Sequence, residues 1–497
     1  MMATESVVET SYGKRLTEIA SDRPDDVDLI MVSRDGTERG ASWRELEKRA
    51  NQIARALEAR GAVQGEIVAL AMPTCLDHIL TTLAIWKLGA TLLPVRHDLP
   101  AWEFERLIEM AEPRVIVADV AALSVDCPVM SRSDLDASAM YSADPLPDRV
   151  SECVNLIASS GSTGRPKLIV VPARGVVGGD VQSMSARGDS EATVLVASPL
   201  YHVNGFSFAA PTLLEGGRAI VMEKFDAALA VDLIERHRAT VTIMVPTMLQ
   251  RIARLEGLSS DRFRSLRRLV YGGAKVPDWV VDRWLELIEP QAFVFAYGSS
   301  ERVGSVMMTG EQWATHRGST GMARDVELSI RNDKGVPVPS GEVGEIYMRP
   351  LQPRPLFRYV GAPTPDPTPD GFYSLGDLGS VDEEGYLYVV DRRTDMIISG
   401  GANVFPAEVE AALSEHPKLV DQVVVPVPDA EWGQRVHAIV APTDLSNPPT
   451  TQELHAFCRE RLAAYKVPKT FEFVAQIPRS EAGKLNRNAI GEAVSAR

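Results

Sequence analysis

The sequence predicts an α/β protein: a large N-terminal domain of mostly parallel sheets with a small β subdomain, then a small α+β domain at the C-terminus. Three observations predict it. At 497 residues the chain is too long for one ordinary core. Up to about residue 320, near-continuous apolar runs alternate with amphipathic helical patterns, the mark of parallel strands covered on both faces. Beyond that point the texture turns to short strands with glycine turns, and beyond about residue 394 to α+β again.

Ser42 and Glu45 make a capping-box pattern ahead of a helix whose apolar positions are Trp43, Leu46, Ala50, Ile53 and Leu57. Steps of three and four set these on one face, and Gly61 is a natural stop. A buried-type strand follows at 66–72, then a helix over 76–88 and a strand over 91–95. Further apolar strands are expected at 114–119, 154–158, 192–197, 218–222, 240–245, 267–271 and 292–296, most of them separated by helices. The runs at 326–330, 341–348 and 385–390 read as strands of the β subdomain. Residues 350–369 hold seven prolines, so this segment is expected to be a stiff surface loop, neither helix nor inner strand. After residue 394, helices are expected over 406–416 and 451–465, and strands over 421–427 and 436–442. No fixed-period repeat is visible.

Hydrophobic residues at 45% and charged residues at 24% are ordinary globular values, which excludes a disordered or collagen-like chain. A net charge of -15 disfavours nucleic acid or an anionic membrane as a general partner. No apolar stretch approaches the roughly 20 residues that span a bilayer. The first residues lack the basic-then-apolar pattern of a secretory signal. Cys75, Cys127, Cys153 and Cys458 lie far apart with no CxxC pair. That disfavours a zinc site or a disulfide framework and suits a reducing, cytoplasmic setting.

The strongest local signal is the run SSGSTGRPK at 159–167, between two expected strands. Its small residues Ser159, Ser160, Gly161, Ser162, Thr163 and Gly164 let backbone N–H and hydroxyl groups wrap a phosphate, and Lys167 adds a positive charge. The ending of a Walker A loop is missing, and so is the dinucleotide fingerprint G-x-G-x-x-G. Standing alone, the run would serve equally well as a hairpin turn. It does not stand alone. The segment 199–205, PLYHVNG, follows the strand 192–197; Gly272, Gly273 and Ala274 follow 267–271; Tyr297, Gly298, Ser299, Ser300 and Glu301 follow 292–296. Open α/β sheets bind ligands outside the carboxyl ends of their strands, where all these clusters fall. Glu301 is the natural carboxylate for Mg²⁺ beside a triphosphate, since that ion takes oxygen ligands.

With those runs stand GEVGEI at 341–346, SLGDLG at 374–379, DRRTDMIISGGANVFPAEVE at 391–410 and PRSEAGKLNR at 478–487. In this order the set resembles the adenylate-forming superfamily of acyl-CoA synthetases, luciferases and peptide-synthetase adenylation domains. The likeness runs from the helix at 42 to Arg487. It implies ATP, Mg²⁺ and coenzyme A: a carboxylate attacks the α-phosphate of ATP, pyrophosphate leaves, and a thiol then displaces AMP. It also implies a division into residues 1–393, which bind ATP and the acyl group, and a mobile domain at 394–497.

The resemblance carries roles only where residues match. The loop 159–167 would hold the β- and γ-phosphates. Gly272, Gly273 and Ala274, with Ala296, Tyr297, Gly298 and Ser299, would wall the adenine and acyl sites. Ser300 and Glu301 would lie at the α-phosphate and metal, Asp377 would accept the ribose hydroxyls, and Val389 and Arg392 would add nucleotide contacts. Lys484 would bring a cation between two anionic reactants, lowering their repulsion as the bond forms. His202, Val203, Asn204 and Gly205 would line the acyl pocket with Gly273, Tyr297 and Gly298; Ser399, Gly400 and Gly401 would face the CoA path. Thr394 stands at the hinge position, where relatives usually carry Asp or Lys, and Ala402 and Gln434 stand where many carry Glu. These departures spare the adenylation residues, so any loss would fall on thiolation.

The resemblance also disfavours amino acids: peptide-synthetase domains of the superfamily place an Asp in the segment matching 199–206 to pair with the substrate ammonium, and no carboxylate stands there in this chain. The segment's apolar surroundings suit a bulky hydrophobic acid. The stretch EQWATHRGSTG at 311–321 is similar to synthetases for medium, long or polycyclic acids such as bile-acid ligases. Two alternatives stay open beside an acid–CoA ligase: an adenylating enzyme that passes its product to an acyl-carrier protein or partner ligase, and a non-catalytic adenylate-binding protein. A homodimer also stays open.

Overall fold

The computed structural model describes residues 9–119, 126–159, 166–178, 191–352, 354, 356–480 and 485–495. Among them, the largest sheet has thirteen strands. Its centre is parallel, running Phe293–Gly298, Arg268–Tyr271, Val241–Met244, Thr193–Val196, Arg218–Met222 and Val27–Val32. These short strands are largely buried on both faces, as the sequence predicts for all but Val27–Val32, which was not among the expected strands.

Beyond Phe293–Gly298 the sheet turns antiparallel through Ser305–Thr309 and Gly321–Ala323. It continues into Tyr386–Arg392, Tyr373–Val381, Gly344–Pro350 and Val326–Arg331. The β subdomain is thus hydrogen-bonded onto the main sheet, while packing its own core around Val303, Val306, Ile330, Ile346 and Leu387.

A second, parallel sheet joins Thr91–Pro94, Ile67–Ala71, Val115–Ala118 and Val129–Met130. Helices Trp43–Glu58 and Leu76–Lys87 contribute to one core that includes residues of both parallel sheets. All five apolar positions expected on the first of these helices are buried, including Trp43 and Leu46 at 0% exposure. Ser42 caps it by accepting from the Glu45 N–H at 3.3 Å. The reciprocal half of the expected box is replaced, because Glu45 pairs with Arg39 at 3.1 Å.

Leu156–Ser159 and Lys167–Val170 form an antiparallel hairpin around the glycine-rich run, with Ser159 opposite Lys167. The third strand of this small sheet corrects an expectation. Arg358–Val360 lies inside the proline-rich segment and pairs antiparallel with Lys167–Val170. It is an edge strand and falls in the proline-free stretch between Pro355 and Pro363. The segment is therefore more than a surface loop.

After Arg392 the main sheet ends, and a new one forms from Ile397–Ser399, Ala402–Val404, Leu419–Asp429, Gly433–Pro442 and Thr470–Phe473. Its core holds Val409, Leu413, Val424, Val436 and Leu454. Helix Thr451–Arg459 is shorter than the expected 451–465. No helix among the described residues is long and apolar enough to cross a membrane.

Candidate active site

Neighbouring parallel strands bring three of the four sequence-predicted clusters to one end of the main sheet; the run at 159–167 departs from that expectation, since the strands flanking it belong to the separate antiparallel sheet. Thr193–Val196 leads into Pro199–His202, Arg268–Tyr271 into Gly272 and Gly273, and Phe293–Gly298 carries Ala296 and Tyr297 on its last turns of pleat. Two glycines are required by close approach. A Cβ on Gly272 would stand 2.6 Å from the Ala296 carbonyl oxygen, and one on Gly205 would stand 2.0 Å from that of Pro199. Gly205 belongs to helix Val203–Leu214, whose cap residue is His202. The His202 carbonyl accepts from the Gly205 and Phe206 N–H groups at 2.9 and 3.1 Å, and its ring lies 4.8 Å from that of Tyr201. Val203, on the first turn, packs with Tyr297 against the apolar cluster of Val303 and Val306.

Two charged groupings involve residues at or just after the end of strand Phe293–Gly298. In the first, the Tyr297 hydroxyl donates to Asp377 Oδ2 at 2.7 Å, and Arg392 Nε lies 3.5 Å from Oδ1. Asp377 sits on strand Tyr373–Val381, directly opposite Arg392 on Tyr386–Arg392, so the ladder register brings these two together. Burial pushes the Asp377 carboxyl up, against the lowering effect of the Tyr297 hydrogen bond and Arg392. The Tyr297 phenol is pushed well above its ordinary value by burial and by the Asp377 charge.

In the second grouping, Lys167 Nζ lies 3.6 Å from Glu301 Oε1. The Tyr359 hydroxyl donates to the same oxygen at 2.7 Å, and the Lys167 ammonium sits 3.4 Å from the centre of the Tyr359 ring. Burial lowers the Lys167 pKa, while Glu301 opposes the shift. Glu301 lies in a tight turn in which the Arg302 N–H donates to Ser299 O at 3.1 Å and Arg302 takes a left-handed φ of 52°. Arg354 clasps that turn, donating to the Val303 carbonyl at 2.9 Å and to Asp325 at 3.2 Å. Among the described residues no group of three or more His, Cys, Asp or Glu could hold a metal by itself. One carboxylate beside a triphosphate is nevertheless a donor set that suits Mg²⁺, which keeps waters and borrows phosphate oxygens.

The remaining predicted residues fall as follows. Ser159 ends its strand; Ser160, Gly161, Ser162, Thr163, Gly164 and Lys484 lie outside the described residues. Gly273, with φ of 95°, and Ala274 are exposed, Ser299 and Ser300 are half-buried, and Val389 packs on the β-subdomain core. Thr394 is exposed between the two large sheets. Ser399 is buried, and Gly400 and Gly401, with φ of 59° and 82°, make the two-residue turn that pairs Ser399 with Ala402. The Gly400 N–H donates to Trp432 O at 2.9 Å, and the Gln434 side-chain oxygen accepts from the Ile398 N–H at 3.0 Å. Arg487 forks onto Glu410 and lies 3.3 Å from Asp395. Tyr359 was not foreseeable as a site residue: only the short alternation Phe357-Arg358-Tyr359-Val360 marks its strand. The stretch 311–321 proves partly structural, since its Trp313 is buried and stacks at 6.2 Å on Phe295.

A model of the AMP-binding enzyme family matches residues 16–352, and a model of the AMP-binding enzyme C-terminal domain matches 408–484. This chain belongs to the AMP-binding enzymes. Among its relatives, feruloyl-CoA synthase of an Amycolatopsis species is 34% identical, covering 90% of this chain and 93% of that protein. A 2-succinylbenzoate–CoA ligase of Geobacillus kaustophilus is 33% identical, over 91% of this chain and 93% of its own. Among solved structures, the o-succinylbenzoate coenzyme A synthetase of Bacillus subtilis in complex with ATP and magnesium ion superposes with a TM-score of 0.78. It is 25% identical, over 97% of this chain and 99% of that one. This AMP-binding enzyme is an AMP-forming acid–thiol ligase of the acyl-CoA synthetase type.

Proposed function

We propose that this ligase activates a bulky hydrophobic acid, with an aromatic acid as first candidate, and transfers the acyl group from AMP to coenzyme A. One observation carries the choice of acid: Val203 and Tyr297 pack against the apolar cluster of Val303 and Val306, and no carboxylate occurs between Pro199 and Phe206. A substrate ammonium would have no partner there, whereas an apolar body would be covered. Relatives named for feruloyl and succinylbenzoyl thioesters support the aromatic choice.

In this reading Lys167 and the loop before it hold the β- and γ-phosphates, and Asp377 accepts the ribose hydroxyls with Arg392 alongside. Glu301 and the phosphates hold Mg²⁺, which when bound offsets phosphate charge. Tyr297 orients Asp377 through its 2.7 Å hydrogen bond and packs beside the acyl group. His202, at the cap of its helix, faces the acyl carboxylate. The carboxylate oxygen bonds to the α-phosphorus as the bond to pyrophosphate breaks, and Lys484 offsets the charge where these two anions meet. For thiolation, residues 394–497 turn about Thr394 so that the Ser399–Gly401 turn faces the pocket and the thiol displaces AMP. Pyrophosphate exchange across cinnamic, benzoic, medium-chain, long-chain and amino acids tests the reading. The hydrophobic acids should give the highest kcat/KM; faster exchange with amino acids would overturn it.

A further inference from the structure

We infer that Tyr359 is a positioning residue that keeps the Lys167–Glu301 pair parted for Mg²⁺·ATP, a role that rests on the proposed reading of Lys167 and Glu301. Tyr359 stands opposite Ile169 in the antiparallel ladder, which makes it the diagonal, same-face neighbour of Lys167. Its ring takes the ammonium at 3.4 Å, and its hydroxyl takes Glu301 Oε1 at 2.7 Å. One side chain thus holds both members of an opposite-charge pair, in two different ways, and leaves them 3.6 Å apart.

The spacing matters because the pair is partly shielded, with side-chain exposures of 18% for Lys167 and 11% for Glu301. Left alone, ammonium and carboxylate close to a contact of about 2.8 Å. At an effective dielectric of about 20 that closure strengthens the pair by roughly tenfold, and by less after solvent screening. An arriving triphosphate and cation would have to break the closed pair. Tyr359 opposes closure by anchoring the Glu301 carboxylate through its hydroxyl and by giving the ammonium a π face in place of a close carboxylate contact. Both groups therefore stay available, each to a charge of the opposite sign. The Glu301 turn is separately clasped by Arg354, so losing the tyrosine hydroxyl leaves the turn in place.

The experiment is calorimetric binding of a non-cleavable α,β-methylene ATP analogue, with and without Mg²⁺, to wild type, Tyr359→Phe, Glu301→Gln and the double variant. Phenylalanine keeps the ring contact with Lys167 and the 5.1 Å packing on Phe357. Tyr359→Phe should weaken the Mg²⁺-loaded analogue about three- to tenfold and raise the KM for Mg²⁺·ATP in step, with kcat and the acid KM nearly unchanged. In the Glu301→Gln background the same change should have no effect, because the charge to be parted is gone. Wild-type affinity in Tyr359→Phe would overturn the inference. So would an equal loss in both backgrounds, which is the mark of a purely structural residue. If Glu301→Gln alone left Mg²⁺-dependent binding unchanged, the reading of Glu301 itself would fall and the role of Tyr359 with it.

Discussion

Asp377, the proposed acceptor of the ribose hydroxyls, is held by Tyr297 on one oxygen and faced by Arg392 on the other. Hydrogen bonds to a charged group are worth about 1.5–3 kcal/mol each. Asp377→Asn should therefore weaken ATP and AMP by roughly ten- to a hundredfold while the acid KM stays close to wild type. An unchanged KM for ATP would remove Asp377 from the ribose. A second residue makes the fold itself sensitive to pH. His78 is fully buried on helix Leu76–Lys87, and burial lowers its imidazole to about 3. The unfolded chain takes up a proton near pH 6.5 that the folded chain refuses until about pH 3. Between those limits stability falls as the pH falls, at up to about 1.4 kcal/mol per unit for this group; above 6.5 its effect is flat. His78→Leu should lose less melting temperature between pH 7 and pH 5 than wild type does, and an equal or greater loss would count against it.

At the scale of elements, the site depends on how closely backbone can approach backbone. Helix Val203–Leu214 lies against the Pro199 turn with no room for a side chain at Gly205. Gly205→Ala must displace main chain, so it should cost about 1–3 kcal/mol in unfolding free energy. Because the same turn carries His202, the acid KM should rise with it; a variant with normal stability and normal KM would show that the helix is free to shift. Helix Trp43–Glu58 was legible in the sequence because its apolar residues follow the helical period, and five of the parallel strands of the main sheet because their apolar runs are short and bounded; Val27–Val32, Ser305–Thr309 and Tyr373–Val381 were not read as strands. Strand Arg358–Val360 was hidden, since what makes it a strand is pairing with Lys167–Val170 nearly two hundred residues earlier, a cause absent from its own composition. Tyr359 was missed for the same reason. Asp377 was legible through its surrounding run, but its bond to Tyr297 was not, because ladder register is a property of the folded sheet. Glu45 shows the converse: a correct local pattern whose second bond went to Arg39 once that residue was brought near.

For the whole molecule, the break between the two large sheets falls at residues 393–396, with exposed Thr394 inside it. Contacts bridge that break in the present arrangement. Asp391 accepts from the Ala407 N–H at 3.0 Å, supplying helix Pro406–Ser414 with the side-chain cap that its own Phe405 lacks, and Arg254 donates to Val420 O at 2.8 Å. Arg254 and Trp279 also reach Ser414, at 3.3 and 3.4 Å, and a turn of residues 394–497, as proposed, would have to exchange these part-buried bonds for others. Proline at 394 fixes φ and removes an N–H, so Thr394→Pro should keep most pyrophosphate exchange and lose at least about tenfold in thioester formation. Equal loss of both would place the turn elsewhere. The central claim, that this chain forms an acyl-adenylate and then hands the acyl group to coenzyme A, is tested most directly by one product balance. ATP and a hydrophobic aromatic acid are supplied with and without CoA, and AMP, ADP, pyrophosphate and acyl-CoA are quantified together. The account predicts about one enzyme equivalent of pyrophosphate without CoA, then sustained AMP release equal to acyl-CoA once CoA is present. ADP in place of AMP, or AMP released at the same rate with and without CoA, would contradict it.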